Sequence, residues 1–330
     1  MPSTSVLIRV PATVGNFAGA VNCAALALDA SLNVKVTPRL DGFVGIRYFG
    51  ENGERVPRDR SNLVVRAMEA AVHLRQLEFT GADLEIYSSV PVAVGLGSST
   101  AAVLAGLMAA DRLFRLGLDE KTLFDLAAIF ESRSDNLRAA WAGGFVAWVE
   151  DQPSPAYQRT VVPEDLVLSV VVPETPLATG TGRTRPSDQA LRNDRAAHVH
   201  RAAALAEFFA RGENDCSPDL EAPLPPTCEK AVAGLDETLQ VRLPGLASVF
   251  VCGSGPAVGI LAQEDRVGAA RAVRDCFARH GVATTWAEFQ PTNAGAQEWN
   301  AVHPQIRLLP PKPRTSLLAL ALKKSTLKPV

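Results

Sequence analysis

Val90-Pro91-Val92-Ala93-Val94-Gly95-Leu96-Gly97-Ser98-Ser99-Thr100-Ala101-Ala102 is the stretch on which the reading of this chain turns. Residues 82–90 before it alternate apolar and polar, the period of a half-buried strand. Residues 100–116 after it are rich in Ala and Leu, with apolar residues filling a helical face. Two glycines and two serines therefore sit where a strand hands over to a helix. Gly95 and Gly97 accept positive φ and let another group come close to the backbone. Ser98 or Ser99 can cap the helix, and the free N–H groups of its first turn point outward toward an anion. That is the chemistry of a phosphate cradle. A Walker loop is excluded by the missing Gly-Lys-Ser/Thr ending, and a dinucleotide fingerprint by the missing third glycine. A tight turn capped by serine, with no ligand, is the plain alternative at this level.

Working outward, a chain of 330 residues suits two packed domains of ordinary size. The formal net charge of −2 gives no sign of a nucleic-acid or membrane partner. The five cysteines, Cys23, Cys216, Cys228, Cys252 and Cys276, are scattered with no Cys-x-x-Cys pair. That pattern implies free thiols in a reducing compartment, and no disulfide framework or zinc site. With no apolar leader and no run long enough to span a bilayer, the expectation is a soluble cytoplasmic protein.

Residues 5–10 read as a strand ended by Pro11, followed by a small-residue loop. Residues 33–36 and 45–49 read as a strand pair joined by a turn at Asp41-Gly42. Residues 62–77 carry helical spacing, and a further helix opens near Leu118. Asp151-Gln152-Pro153-Ser154-Pro155 is a polar, proline-rich connection between lobes. Residues 166–173 form a continuous apolar strand expected to be buried on both faces. Residues 194–210 are helical; His198 and His200, two apart, face different sides and are not a metal pair. Two apolar strands flank Gly253-Ser254-Gly255-Pro256, and a helix over 266–280 and a strand over 282–289 follow. Residues 316–322 are a short apolar run to which no function is assigned. The order of strands and helices predicts an α+β fold.

The cradle resembles the second motif of the GHMP kinases (galactokinase, homoserine kinase, mevalonate kinase, phosphomevalonate kinase), where Pro-x-x-x-Gly-Leu-Gly-Ser-Ser wraps the ATP phosphates. Val10-Pro11-Ala12-Thr13-Val14-Gly15-Asn16 is similar to the first motif in its homoserine kinase version. Gly253-Ser254-Gly255-Pro256 resembles the third. Glu131-Ser132-Arg133-Ser134-Asp135-Asn136 resembles the Glu-Gly-His-Pro-Asp-Asn element of homoserine kinases, with Gly143-Gly144-Phe145 at family-like spacing. Thr179 and Arg183 stand at the spacing of a Thr-x-x-x-Arg segment.

The resemblance implies two lobes, the first like domain 2 of ribosomal protein S5 and the second ferredoxin-like. The expected division is 1–155 for the ATP-binding lobe, 156–300 for the second lobe and 301–330 for a tail. It implies transfer of the ATP γ-phosphoryl group to a small-molecule hydroxyl, most simply that of L-homoserine, giving O-phospho-L-homoserine in threonine biosynthesis. Pro91, Val92, Ala93, Val94, Gly95, Leu96, Gly97, Ser98, Ser99, Thr100 and Ala101, with Gly253, Ser254 and Gly255, would hold ATP. Ser99 (or Ser98) and Glu131 would share Mg²⁺. Asn16, Asn22, Arg133, Asn136 and Arg183 would contact the acceptor, Asn136 at its hydroxyl and Arg183 at its carboxylate. Asp135 is the candidate base.

Three positions depart from the homoserine kinase pattern. Asn22 replaces an aspartate, Arg133 replaces a histidine, and no His-Gln-Pro-Tyr-Arg segment follows. An arginine at 133 suits a carboxylate or phosphate partner. An isoprenoid or sugar acceptor, or a silent nucleotide-binding paralogue, are the alternatives. A homodimer is left open.

Overall fold

The computed structural model describes residues 5–131, 134–149, 157–163, 165–174, 188–211 and 232–299. The first lobe comprises β1 (Val6–Gly15), β2 (Ala24–Pro38), β3 (Val44–Phe49), α1 (Leu63–Leu74), β4 (Ala82–Ser88), α2 (Ser98–Phe114), α3 (Glu120–Ala127), α4 (Ser134–Ala142), β5 (Phe145–Trp148) and β6 (Tyr157–Thr160). The second comprises β7 (Leu168–Pro173), α5 (Asp188–Arg211), α6 (Leu235–Leu239), β8 (Leu246–Val251), β9 (Val258–Ala262), α7 (Arg266–Arg279) and β10 (Thr284–Phe289). The chain then returns to the first lobe as β11 (Gln297–Glu298).

The larger sheet has the order β11-β1-β2-β4-β3, with β5 and β6 added beside the first half of β2. Pro11 does not end the first strand, which runs on to Gly15. Proline cannot donate a ladder hydrogen bond, and the register shifts between Pro11 and Ala12, so the sheet absorbs it as a bulge. The expected pairing of residues 33–36 with 45–49 does not form. β4 lies between them, antiparallel to β2 and parallel to β3. The reason is the connection: α1 crosses over between β3 and β4, which is what a parallel pair requires. Strand β4 alternates buried and half-buried residues along its length, as its sequence period predicts.

Helices α1, α2, α3 and α4 cover one face of this sheet around Met68, Leu84, Ile86 and Leu104. Asn62 caps α1 by accepting the Val64 N–H at 3.0 Å, and Asp119 caps α3 by accepting that of Thr122 at 2.8 Å. The smaller sheet is wholly antiparallel in the order β10-β7-β9-β8. Taking α5 and α6 together as the crossover between β7 and β8, its elements run β-α-β-β-α-β, the ferredoxin-like arrangement. Strand β7, flanked on both edges, is buried at five of six positions, in line with its apolar sequence. One face of the smaller sheet packs on α6 and α7; the other packs with α5 onto the first lobe.

Between the lobes, Phe17 stands at the centre of an aromatic cluster. Its ring lies 5.1 Å from Phe250, 6.0 Å from Phe209 and 6.1 Å from Phe145. Burying a phenylalanine contributes about 1.5–3 kcal/mol, and edge-on ring pairs add to it. The cluster thus fixes residues 16–22 from beneath, between β1 and β2. The sequence-drawn division at residue 155 falls between β5 and β6, two neighbouring strands of the larger sheet. Residues 301–330 lie outside the described residues.

Candidate active site

The cradle is built by backbone geometry. Gly97, at φ 72°, occupies the cap position of α2, and no side chain caps the helix. The expectation that Ser98 or Ser99 caps it is corrected. Both serines lie inside the first turn because the left-handed residue before them ends the loop. The first rung of the helix joins the Ala101 N–H to the Gly97 carbonyl at 2.9 Å. The N–H groups of Ser98, Ser99 and Thr100 precede that rung and are left for an anion. Ser98 Oγ instead accepts the Ala93 N–H at 3.4 Å, which closes the loop on itself.

The serine hydroxyl freed from capping has another partner. Ser99 Oγ donates to Glu131 Oε2 at 2.6 Å, and Thr100 Oγ1 donates to the same oxygen at 3.1 Å. Glu131 follows the turn after α3, its N–H tied to the Ala127 carbonyl at 2.9 Å. A half-buried carboxylate and two hydroxyls therefore meet at the helix N-terminus, all of them hard oxygen ligands. This donor set fits Mg²⁺ bound to phosphates; among the described residues no cluster of three or more His, Cys, Asp or Glu is present.

The other two motifs brace the cradle. A Cβ on Gly95, at φ 96°, would stand 2.1 Å from the Cys252 carbonyl oxygen. One on Gly97 would stand 2.2 Å from Thr13 Oγ1. What approaches these glycines is the protein's own chain. Backbone hydrogen bonds close the assembly: Thr13 N–H to Leu96 O at 3.2 Å, Ala257 N–H to Val94 O at 3.1 Å, and Gly253 N–H to Gly15 O at 2.9 Å. Full burial pushes the Cys252 thiol up, so it stays protonated and inert while its carbonyl supports Gly95.

Beside the cradle a second cluster forms around Asn16, which is buried and left-handed at φ 56°. Its Nδ2 donates to the Gly253 carbonyl at 2.9 Å, and its Oδ1 accepts the Asn22 N–H at 3.1 Å. Its backbone N–H donates to Asp135 Oδ2 at 3.3 Å. A Cβ on Gly15 would meet Asp135 Oδ2 at 2.6 Å and Asn136 Oδ1 at 2.8 Å. The first turn of α4 is thereby held against the end of β1, with Asp135 and Asn136 both buried. From the second lobe, His198 Nδ1 and Arg201 Nη1 reach the Gly19 carbonyl at 3.0 and 3.4 Å. His198 is thus a clamp on the loop of residues 16–22.

Asn16, Asn22, Asp135, Asn136 and Gly253 therefore come together on one side, and Ser99 and Glu131 on the other. Gly95 lies against Cys252, Gly253 and Gly255, which ties the cradle to the first of these groups. Arg133 and Arg183, with Thr179, lie outside the described residues. In the sequence Thr13 has no role and Thr100 one toward ATP alone, so neither contact is legible from it. Their signal was weak: each is a hydroxyl residue inside a motif, with nothing in the sequence to show its partner.

The profile described as GHMP kinases N terminal domain matches residues 62–144. A homoserine kinase of Streptomyces coelicolor is 33% identical over 274 residues, covering 80% of this chain and 86% of the relative. The chain belongs to the GHMP kinases. Its place is in their homoserine kinase branch, and it is an ATP-dependent kinase acting on a hydroxyl group. A homoserine kinase of Solibacter usitatus is 28% identical, covering 84% of this chain and 91% of the relative. The crystal structure of a homoserine kinase from Cytophaga hutchinsonii shares the fold, with a TM-score of 0.70 at 20% identity. That likeness covers 89% of this chain and 97% of the other. The two-lobed reading of the sequence is borne out. Among the described residues, no helix is long and apolar enough to cross a membrane.

Proposed function

We propose that this GHMP kinase transfers the γ-phosphoryl group of ATP to the hydroxyl of L-homoserine. The observation that carries the phosphoryl-transfer reading is the Ser99–Glu131–Thr100 contact at an uncapped helix N-terminus. The acceptor rests on the homoserine kinases that resemble the chain over most of its length.

In this mechanism the N–H groups of Ser98, Ser99 and Thr100 hold the phosphates, and residues 253–255 keep the loop in shape. Ser99 and Glu131 hold Mg²⁺, which neutralises charge on the phosphate oxygens when bound. Asn136 orients the acceptor hydroxyl from α4, and Asp135, next to it, takes the proton. Asn16 and Asn22 shape the acceptor side. Arg183 and Arg133 supply positive charge for the substrate carboxylate. Phosphoryl transfer leaves little covalent work for the protein, so positioning and charge neutralisation carry most of the rate. We place the lobe boundary just after β6, with residues 301–330 as an appended tail, in a cytoplasmic enzyme.

The test is ATP- and Mg²⁺-dependent phosphorylation of L-homoserine by the purified protein, with mevalonate and galactose in parallel. Turnover on homoserine alone supports the reading, and turnover on mevalonate or galactose alone moves the acceptor assignment. Arg183→Ala is expected to raise the homoserine KM about 10- to 100-fold, the loss of a charge-assisted hydrogen bond, with the ATP KM little changed. Equal rises in both constants would remove Arg183 from the acceptor. Asp135→Asn keeps an oxygen for the Asn16 N–H and removes the base. Its kcat should fall about 100-fold or more with both KM values held. A kcat within tenfold of wild type would leave Asp135 as a loop anchor only.

A further inference from the structure

Glu131 leaves α3 on a turn, so its carboxylate depends on side-chain partners for its placement. Among the described residues, the hydrogen bonds it accepts come from Ser99 Oγ and Thr100 Oγ1, and both reach Oε2. The two donors are not equivalent. Ser99 is half-buried in the open first turn of α2, whereas Thr100 is 1% exposed. A serine oxygen that gives a lone pair to a cation shared with the carboxylate turns its proton away from that cation. Its hydrogen bond to the carboxylate is then lost. The Thr100 hydroxyl approaches from the protein interior and is free to keep donating.

We propose that Thr100 is a positioning residue, holding the Glu131 carboxylate in place when Ser99 turns to the cation. The inference rests on the proposed phosphoryl transfer at this site. In this reading the Thr100 side chain acts on the carboxylate and not on phosphate or acceptor. Its effect is confined to the carboxylate and to whatever the carboxylate binds. Partners of this kind, one shell out from a metal, set ligand orientation and commonly change metal affinity 10- to 100-fold, so an effect of about that size is expected here.

The experiment uses the full chain and three forms: wild type, Thr100→Val, which keeps the shape and loses the hydroxyl, and Thr100→Ser, which keeps the hydroxyl. Mn²⁺ binding is titrated by electron paramagnetic resonance with a non-hydrolysable ATP analogue present. T100V is expected to bind Mn²⁺ about 10- to 100-fold more weakly, and T100S to return close to wild type. Steady-state kinetics should show kcat falling in T100V while the homoserine KM holds. The metal-free T100V protein should melt within about 4 °C of wild type, the scale of one ordinary hydrogen bond. Equal Mn²⁺ affinity in wild type and T100V, or T100S binding as weakly as T100V, overturns the inference and leaves the proposed function standing. Absence of nucleotide-dependent Mn²⁺ binding in the wild type overturns both.

Discussion

Glu131→Ala should lower kcat by about 10³-fold or more while the protein keeps its fold, because it removes the charged member of the proposed cation site. The carboxylate is half-buried and accepts two hydroxyl hydrogen bonds, from Ser99 and Thr100. Truncation frees Ser99 to bond water and leaves one buried hydroxyl, on Thr100, short of its acceptor. The stability cost is therefore about 1–2 kcal/mol, far below what would unfold a two-lobed chain. Glu131→Gln separates charge from hydrogen bonding, since the amide oxygen still accepts from both hydroxyls. It should be nearly as inactive as the alanine form, because a neutral amide is a poor ligand for a hard cation. Circular dichroism and thermal melting check the fold, and phosphoryl transfer from ATP checks the rate. Retention of more than about a tenth of the activity in either variant would remove Glu131 from the metal, given the 10²–10³-fold cost of losing one such electrostatic group elsewhere.

Much of this site was legible because backbone chemistry writes itself into residue type. Gly95, Gly97 and the paired serines announce a turn that opens a helix, and the period of residues 82–90 announces the strand before it. The three motifs also announced that they belong together. Contacts were less legible. Nothing in a linear pattern says that the Cys252 carbonyl lies against Gly95, or that Thr13 lies against Gly97. Strand partners were hidden for the same reason. Residues 33–36 and 45–49 each read correctly as extended, but extension does not name a neighbour, and the helix that makes β3 parallel to β4 comes after both. Proline usually ends a strand, yet at Pro11 the sheet accommodates it with a bulge. The serine cap failed on one dihedral: with Gly97 left-handed, the cap position was already filled. Each of these misses concerns how segments meet, which depends on tertiary packing more than on local preference.

Gly95→Ala should separate local strain from damage to the site when it is compared with Gly117→Ala. Both glycines have positive φ, 96° and 63°, where an added Cβ costs about 1–2 kcal/mol by itself. Gly117 has nothing within 4 Å of the added atom, so its substitution reports that backbone cost alone. At Gly95 the new Cβ would fall 2.1 Å from the Cys252 carbonyl oxygen and 3.0 Å from the Gly255 nitrogen. Neither can retreat cheaply. The Gly255 N–H is bonded to that same carbonyl at 2.7 Å, and the Cys252 N–H is bonded to the Ala257 carbonyl at 2.8 Å. Relief must therefore come from moving the 253–255 loop off the cradle, which also strains the Ala257–Val94 and Gly253–Gly15 hydrogen bonds. The combined cost is about 2–5 kcal/mol, and at roughly 2–4 °C per kcal/mol the melting point of G95A should fall well below that of G117A. ATP-analogue affinity should fall at least tenfold in G95A and hold in G117A, because only the first disturbs the loop that presents the N–H groups proposed to receive the phosphates. A G95A protein that melts with G117A and binds the analogue as wild type would mean that the third motif does not brace the cradle, and that the close approach at Gly95 is incidental to nucleotide binding.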